Sequence, residues 1–249
     1  MTMQITVSPD FSPEHIAGWY VFNTWLQRKL GIRCHLELYD DFESQHQAIA
    51  ADKVDLIYAN PFDAAMLVRE RGFTSIAAPL GTSDEALIAV AQTSTAQSLG
   101  ELKPGLRVAQ TRDPDVNLIG MILLEPADLG HAQVVPVSVS SYVLVAKHLL
   151  LGRADAGFFL KKAFDDLSPT TRQQLRVLVT SQISVVRHAL LAGPRFAPHV
   201  QHLRDELLSM NQPGSDAARV LQALGLPGWE SQEAEDTEFM IDLMDALQR

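Results

Sequence analysis

A single cysteine, Cys34, is all the thiol chemistry available to this 249-residue chain. No disulfide can form within one chain, and a zinc site built on several cysteines is excluded. Long apolar runs are also missing. No stretch approaches the ~20 uninterrupted apolar residues that a membrane-spanning helix needs. Positive charge is scarce: 20 Lys and Arg stand against 30 Asp and Glu, a net charge of −10. A nucleic-acid partner calls for a basic face, so that class is excluded, as is docking on an anionic membrane. A small anionic ligand is not excluded, because local backbone amides bind an anion whatever the global charge. The opening MTMQITVSPD has neither a basic n-region nor an apolar h-region of an export signal. The chain is therefore expected in the cytoplasm if it is complete, and in the periplasm if it is a mature form. GxSxG, HExxH and P-loop motifs are absent. His199 and His202 stand at i, i+3 without a third ligand, which points to a surface helix. No catalytic residue, metal or cofactor is expected.

What is present is material for a core. Hydrophobic residues make up 47% of the chain and charged ones 20%, enough for one large domain or two small lobes. MQITVSP reads as a strand. SPEHIAGWYVFNTWLQRKLG reads as a helix, with Ser12 as N-cap, Pro13 at its first position and Gly31 just past its end. IRCHLELY alternates like a strand and places Cys34 as a buried, inert thiol. DFESQHQAIAADK follows as a short amphipathic helix capped by Asp40 or Asp41. VDLIYANP is a strand apolar on both faces, as in a covered parallel sheet. Pro61 stops it and opens another helix. Asn60 thus falls at the carboxyl edge of the sheet, where open α/β sheets bind ligands.

The pattern recurs in GLRVAQ, DPDVNLIGMILLEPADLG, AQVVPVS and SSYVLVAKHLLLGRADAGFFL. FESQHQAIAADKVDLIYANPF and YVLVAKHLLLGRADAGFFLKKAF share a helix, a basic turn, an aspartate and a strand. Asp55 and Asp155 hold equivalent places, and Asp55 is expected to cap or turn the chain rather than to bind. This internal repeat predicts two similar lobes. IAAPLGTSDEALIAVAQTS and LRVLVTSQISVVRHALLAG are candidate crossover strands between them, and only helices are expected after the second. Trp19, Trp25 and Trp229 are expected in packing, and the acidic run from Glu233 to Glu238 in solvent.

At this point the chain resembles a known family, the phosphate-, phosphite- and phosphonate-binding proteins of ABC transporters, within the type II periplasmic-binding-protein fold. YDDFESQHQAIAADKVDLIYANPFDAAMLVRERGF carries the first-lobe likeness. LGELKPGLRVAQTRDPDVN carries the start of lobe two, SSYVLVAKHLLLGRADAGF its helix and strand, and LRDELLSMNQPGSDAARVLQALGLPGW the C-terminal helices. The resemblance implies an α/β, two-lobed fold. Each lobe is a mixed, mostly parallel sheet flanked by helices, with two crossover strands as hinge. Lobe one is expected at 1–85 plus 183–249 and lobe two at 86–182. The implied function is closure on a small, anionic ligand, with no chemistry. The implied partners are that ligand and either a transporter permease or a sensor protein.

The binding residues depart from the family pattern. Where the family carries DP-x-S-T-S-G, whose hydroxyls and helix-start amides hold the oxyanion, this chain has Val116, Asn117 and Leu118. Tyr142 stands in place of a histidine, Phe158, Phe159 and Leu160 where an acidic residue is expected, and Phe42 in place of a tyrosine. The residues expected to line the ligand are Ser8, Ser12, Asn60, Thr111, Arg112, Asn117, Ser140, Ser141, Tyr142 and Arg187, and Lys161 is a further cation at a lobe edge. The less hydroxyl-rich lining keeps a second function open: a cytoplasmic enzyme on the same scaffold, like the chorismate dehydratase or pyrimidine synthase families.

Overall fold

The computed structural model describes residues 2–11, 13–183, 186–212, 217–232, 235–238 and 241–242. The chain folds as two compact units. The first runs up to Thr82 and resumes at Arg187; the second runs from Ser83 to Val186.

In the first unit, β1 (Thr2–Val7) leads through a short 3-10 turn into α1 (Ile16–Leu30). Gly31 ends α1 in the left-handed conformation, φ 65°, its N–H donating to Gln27 O, the geometry a glycine adopts without strain. Then come β2 (Arg33–Leu36), α2 (Phe42–Ala50), β3 (Leu56–Ala59), α3 (Pro61–Arg71) and β4 (Thr74–Pro79). Asp41, not Asp40, caps α2, accepting the Ser44 N–H at 2.8 Å. After the excursion into the second unit the chain adds β10 (Ala189–Ala192), α8 (Val200–Ser209), α9 (Ala218–Leu224) and β11 (Trp229–Ser231). The sheet order is β11-β4-β10-β3-β1-β2. β1 to β4 run one way and β10 and β11 the other.

The strands alternate strictly between two cores. Leu56 and Tyr58 face Trp19, Phe22 and Trp229 under α1, α8 and α9. Ile57 and Ala59 face Ile49, Leu67 and Phe73 under α2 and α3. With both faces covered, β3 is buried at every position, which is why VDLIYANP reads as one apolar run. All three tryptophans are buried, at 3%, 9% and 0% exposure. β11 corrects the expectation of helices alone after the second crossover. Its three residues, Trp, Glu and Ser, are too few to show a period. They pair antiparallel with Pro79, Ala78 and Ala77 at the sheet edge.

The second unit holds β5 (Ala86–Ala91), β6 (Leu106–Gln110), α4 (Pro114–Leu124), β7 (Val134–Ser138), α5 (Tyr142–Leu150), β8 (Ala156–Leu160), α6 (Lys161–Asp165), α7 (Pro169–Gln173) and β9 (Leu175–Thr180). The order is β7-β6-β8-β5-β9, with β5 antiparallel to both neighbours. Each predicted crossover strand is in fact two strands. Gly81 turns the first at φ 62°, separating β4 from β5; in the second, β9 ends at Thr180 and β10 begins at Ala189. The two connecting segments lie side by side, Asp84 N–H donating to Val186 O at 2.7 Å. Glu85 ties them further, accepting from the Ser181 hydroxyl and from Ile183 N–H.

The repeated aspartates extend the ladder of a neighbouring parallel strand. Asp55 N–H donates to Gln4 O, and its carboxylate accepts Gln4 N–H in return, both at 2.8 Å. Asp155 does the same with Arg107, at 2.8 and 3.0 Å. Each aspartate therefore stands in for one more strand residue and fixes the register. The Arg107 side chain also binds Asp155, through Nε at 3.0 Å and one terminal nitrogen at 2.6 Å. That pairing holds the Asp155 carboxyl below the usual carboxylate range.

Cys34 lies in the first core at 7% exposure. Burial, with the Asp55 charge nearby, pushes its thiol up to about 11. Thiolate is the reactive form. Iodoacetamide at pH 7.5 is therefore expected to leave Cys34 unmodified in the native chain and to label it fully in denaturant, as read by mass spectrometry. Comparable labelling in both states would contradict the inert, buried assignment.

Candidate functional site

In each unit the parallel strands bring polar residues to their carboxyl ends. In the first unit, Ser8 follows β1 and Asn60 follows β3, both fully buried. Their strands are neighbours, and Ser8 N–H continues the ladder to Tyr58 O at 2.8 Å. Asn60 caps α3, its Oδ1 accepting Asp63 N–H at 2.7 Å. Its Nδ2 donates to Ser8 Oγ and to Asp63 Oδ2, each at 3.3 Å. Asp63, fully buried, accepts from His46 Nε2 at 2.6 Å. That hydrogen bond, against some cost of burial, raises the His46 pKa above its ordinary value. Gln45, also fully buried, reaches from α2 to donate to Val7 O at 2.8 Å and Thr6 Oγ1 at 3.2 Å. Its Oε1 is a buried acceptor with no partner among the described residues.

A second histidine–aspartate pair lies at the same strand ends. His188, just before β10, meets both oxygens of Asp10 at 3.2 Å and stacks on Tyr58, centroids 5.1 Å apart. Burial opposes ionisation of Asp10, but the charge and hydrogen bond of His188 prevail and hold its carboxyl below the usual range. His46, Asp63, Asp10 and His188 carry no sequence signal of these pairings, because a lone histidine on a helix has no pattern.

In the second unit, Thr111 follows β6 and Asp113 caps α4. Pro114 has no N–H to offer. Asp115 and Val116 N–H both donate to Asp113 Oδ1 at 3.2 Å, and Asn117 N–H donates to Asp113 O at 3.2 Å. The first turn of α4 has therefore spent its amides inside the chain. A carboxylate already supplies the negative charge that the positive end of the helix dipole favours. These are the amides that the resemblance assigns to a ligand oxyanion, and here the Asp113 carboxylate accepts from them. The Tyr142 hydroxyl donates to Asp113 Oδ2 at 2.7 Å, and its ring stacks on Phe159 at 6.2 Å. Asn117 is turned toward Thr111, its Nδ2 donating to Thr111 O at 2.9 Å. The Asn117 Oδ1 is left as a buried acceptor without a partner among the described residues. Such an acceptor costs ~1–3 kcal/mol until a donor meets it.

The remaining expected residues are dispersed. Ser141 caps α5, accepting Leu144 N–H at 3.3 Å, and Ser140 is exposed beside it. Arg112 is exposed. Arg187 forms an ion pair with Glu230 of β11, and Lys161 pairs with Asp165 at 2.6 Å. Two of the three predicted cations thus have carboxylate partners of their own. Ser12 lies outside the described residues.

Comparison with known proteins gives this geometry its context. A search of curated proteins returned no match. Among solved structures, a Xanthomonas citri protein with chloride bound superposes with a TM-score of 0.82 at 18% identity, over 100% of this chain and 98% of its own. A Prochlorococcus marinus phosphonate-binding protein in complex with methylphosphonate gives 0.81 at 12% identity, over 99% and 98%. A binding protein component of a Pseudomonas aeruginosa ABC phosphonate transporter gives 0.78 at 16% identity, over 99% and 86%. At these identities the likeness is one of fold: the two-lobed type II periplasmic-binding-protein architecture. Among the described residues no helix is long and apolar enough to cross a membrane. The family model described as "ABC transporter, phosphonate, periplasmic substrate-binding protein" matches residues 5–237, nearly the whole chain, and the protein belongs to that family of substrate-binding components.

Proposed function

We propose that the chain captures a small oxyanion-bearing solute, of the phosphonate or sulfonate type, and delivers it to the permease of an ABC transporter, acting in the periplasm without chemistry. The strand-end residues are the proposed ligand contacts: Ser8 and Asn60 in the first unit, Thr111, Asn117, Ser141 and Tyr142 in the second. The observation that carries this is the buried Ser8–Asn60 pair at the carboxyl ends of adjacent parallel strands. The two side chains are hydrogen-bonded to each other, so their burial costs little; what supports the reading is their place, at the strand edge where open α/β sheets bind ligands.

The test is thermal unfolding against phosphate, phosphite, methylphosphonate, sulfate, alkylsulfonates, carboxylates, chorismate-like acids and thiamine precursors. A ligand at 100 times its Kd stabilises the native state by about 2.7 kcal/mol. For a chain this size the shift is roughly 5–10 °C. A shift with phosphorus or sulfur oxyanions is expected. A flat response to them, together with turnover of an organic acid, would overturn the binding function in favour of an enzyme.

A further inference from the structure

If α4 has spent its amides on Asp113, the counter-charge for an oxyanion must come from elsewhere. In the first unit a side chain able to carry positive charge is anchored beside the strand-end residues and still partly open. His46 is tethered through Nε2 to Asp63, a carboxylate of 0% side-chain exposure, while 40% of the imidazole side chain stays exposed. With Nε2 on Asp63, Nδ1 is the ring nitrogen left without a partner among the described residues. In the imidazolium both nitrogens are donors, and the tether fixes the ring's orientation, because a carboxylate accepts the Nε2 proton. It is continuous with the strand-end residues: Ser8 to Asn60 at 3.3 Å, Asn60 to Asp63 at 3.3 Å, Asp63 to His46 at 2.6 Å. The Phe42 ring, 6.3 Å from the imidazole, adds an apolar wall that weakens competition from water.

We infer that His46 is a ligand-binding residue, whose Nδ1–H donates to an oxygen of the solute's phosphonate, phosphate or sulfonate group, with Asp63 as its positioning carboxylate. The inference rests on the proposed binding function and names the group that grips its ligand. The hydrogen bond with Asp63 favours the imidazolium, the form in which Nδ1 donates. Because the Asp63 charge offsets the cation, the grip is mainly a directed, charge-assisted hydrogen bond rather than a diffuse attraction.

Calorimetric titration of the full chain at pH 7 with methylphosphonate, inorganic phosphate and methanesulfonate tests this, with His46→Gln as the variant. Glutamine keeps the size and polarity at a partly exposed site, so the unfolding temperature is expected to hold. Affinity for the wild-type chain's preferred oxyanion is expected to fall about 10- to 100-fold, the loss of one hydrogen bond to a charged group. In the unchanged chain, the imidazole 15N signals give a reading independent of folding: the Nδ1 resonance should move on titration while Nε2 stays near its place. Unaltered affinity in His46→Gln, or oxyanion binding that leaves Nδ1 unmoved, would overturn the assignment while leaving the binding function intact. Failure of the wild-type chain to bind any of the three oxyanions would overturn both. Preference for methylphosphonate over methanesulfonate would mark a phosphorus ligand, and the reverse a sulfonate, each consistent with His46 as the contact.

Discussion

Replacing Gly18 by alanine is expected to lower the unfolding temperature by roughly 6–12 °C. Gly18 lies on the face of α1 that meets α9, and the two helices approach so closely that backbone touches backbone. A Cβ at position 18 would sit 2.1 Å from Ala223 O and 2.9 Å from Leu224 N. Those atoms belong to a helix backbone and cannot rotate away. The whole of α9 has to shift, opening the core that Trp19, Phe22, Leu221 and Leu224 share. Overpacking of this kind typically costs ~1–3 kcal/mol, and here the upper end applies. At ~2–4 °C per kcal/mol for a chain of this length, the stated shift follows. Gly31→Ala separates sterics from conformation. A Cβ at position 31 meets nothing within 4 Å, but φ is +65°, so only the left-handed penalty of about 1–2 kcal/mol remains. If both alanines gave equal, small losses by differential scanning fluorimetry, the close α1–α9 approach would be wrong.

The second large effect is expected at Asp55. Asp55→Ala removes the acceptor for Gln4 N–H and the partner of Arg195 Nε, which donates at 2.7 Å. The Asp55 side chain is 2% exposed and that of Arg195 44%. The arginine can turn to water, so its loss is small. The strand N–H cannot, and a hydrogen bond to a charged acceptor in that setting is worth ~1.5–3 kcal/mol. Unfolding in urea should show the midpoint falling by a corresponding amount with the slope unchanged. Asp155→Ala makes the equivalent deletion in the second unit, where the Asp155 side chain is 43% exposed, and should cost distinctly less. Equal losses at the two sites would mean that burial is not what separates them. Neither variant should alter ligand affinity directly, since both aspartates sit at the amino-terminal ends of their strands, away from Ser8 and Asn60.

Comparison of the two aspartates also shows what kind of information the sequence held. Local features were readable: the Asn60-Pro61 helix start, Gly31 as helix end, Cys34 in a half-buried strand, the two-face apolar run of β3. Each is dictated by the period of a strand or helix, or by the φ freedom of one residue, and needs only a few neighbours. The repeat around Asp55 and Asp155 predicted two like units, because a duplicated arrangement leaves a duplicated pattern. β11 was invisible, because three residues at a sheet edge are ordered by the strand they join and by nothing in themselves.

Sequence by itself determined the class of this protein: an α/β chain of two similar sheets, in the order that the phosphonate-binding family uses. It could also show that Val116 and Leu118 lack the hydroxyls expected in the α4 loop. Tertiary structure decided the rest of the site. Tyr142 reaching Asp113 across 29 positions of sequence, and His46 meeting Asp63 across 17, are contacts between side chains on separate elements. No periodicity encodes such contacts, because they depend on where strand ends and helix starts converge once the sheets have formed. A histidine becomes a directed donor only when a buried carboxylate stands behind it, and that carboxylate is placed by the fold.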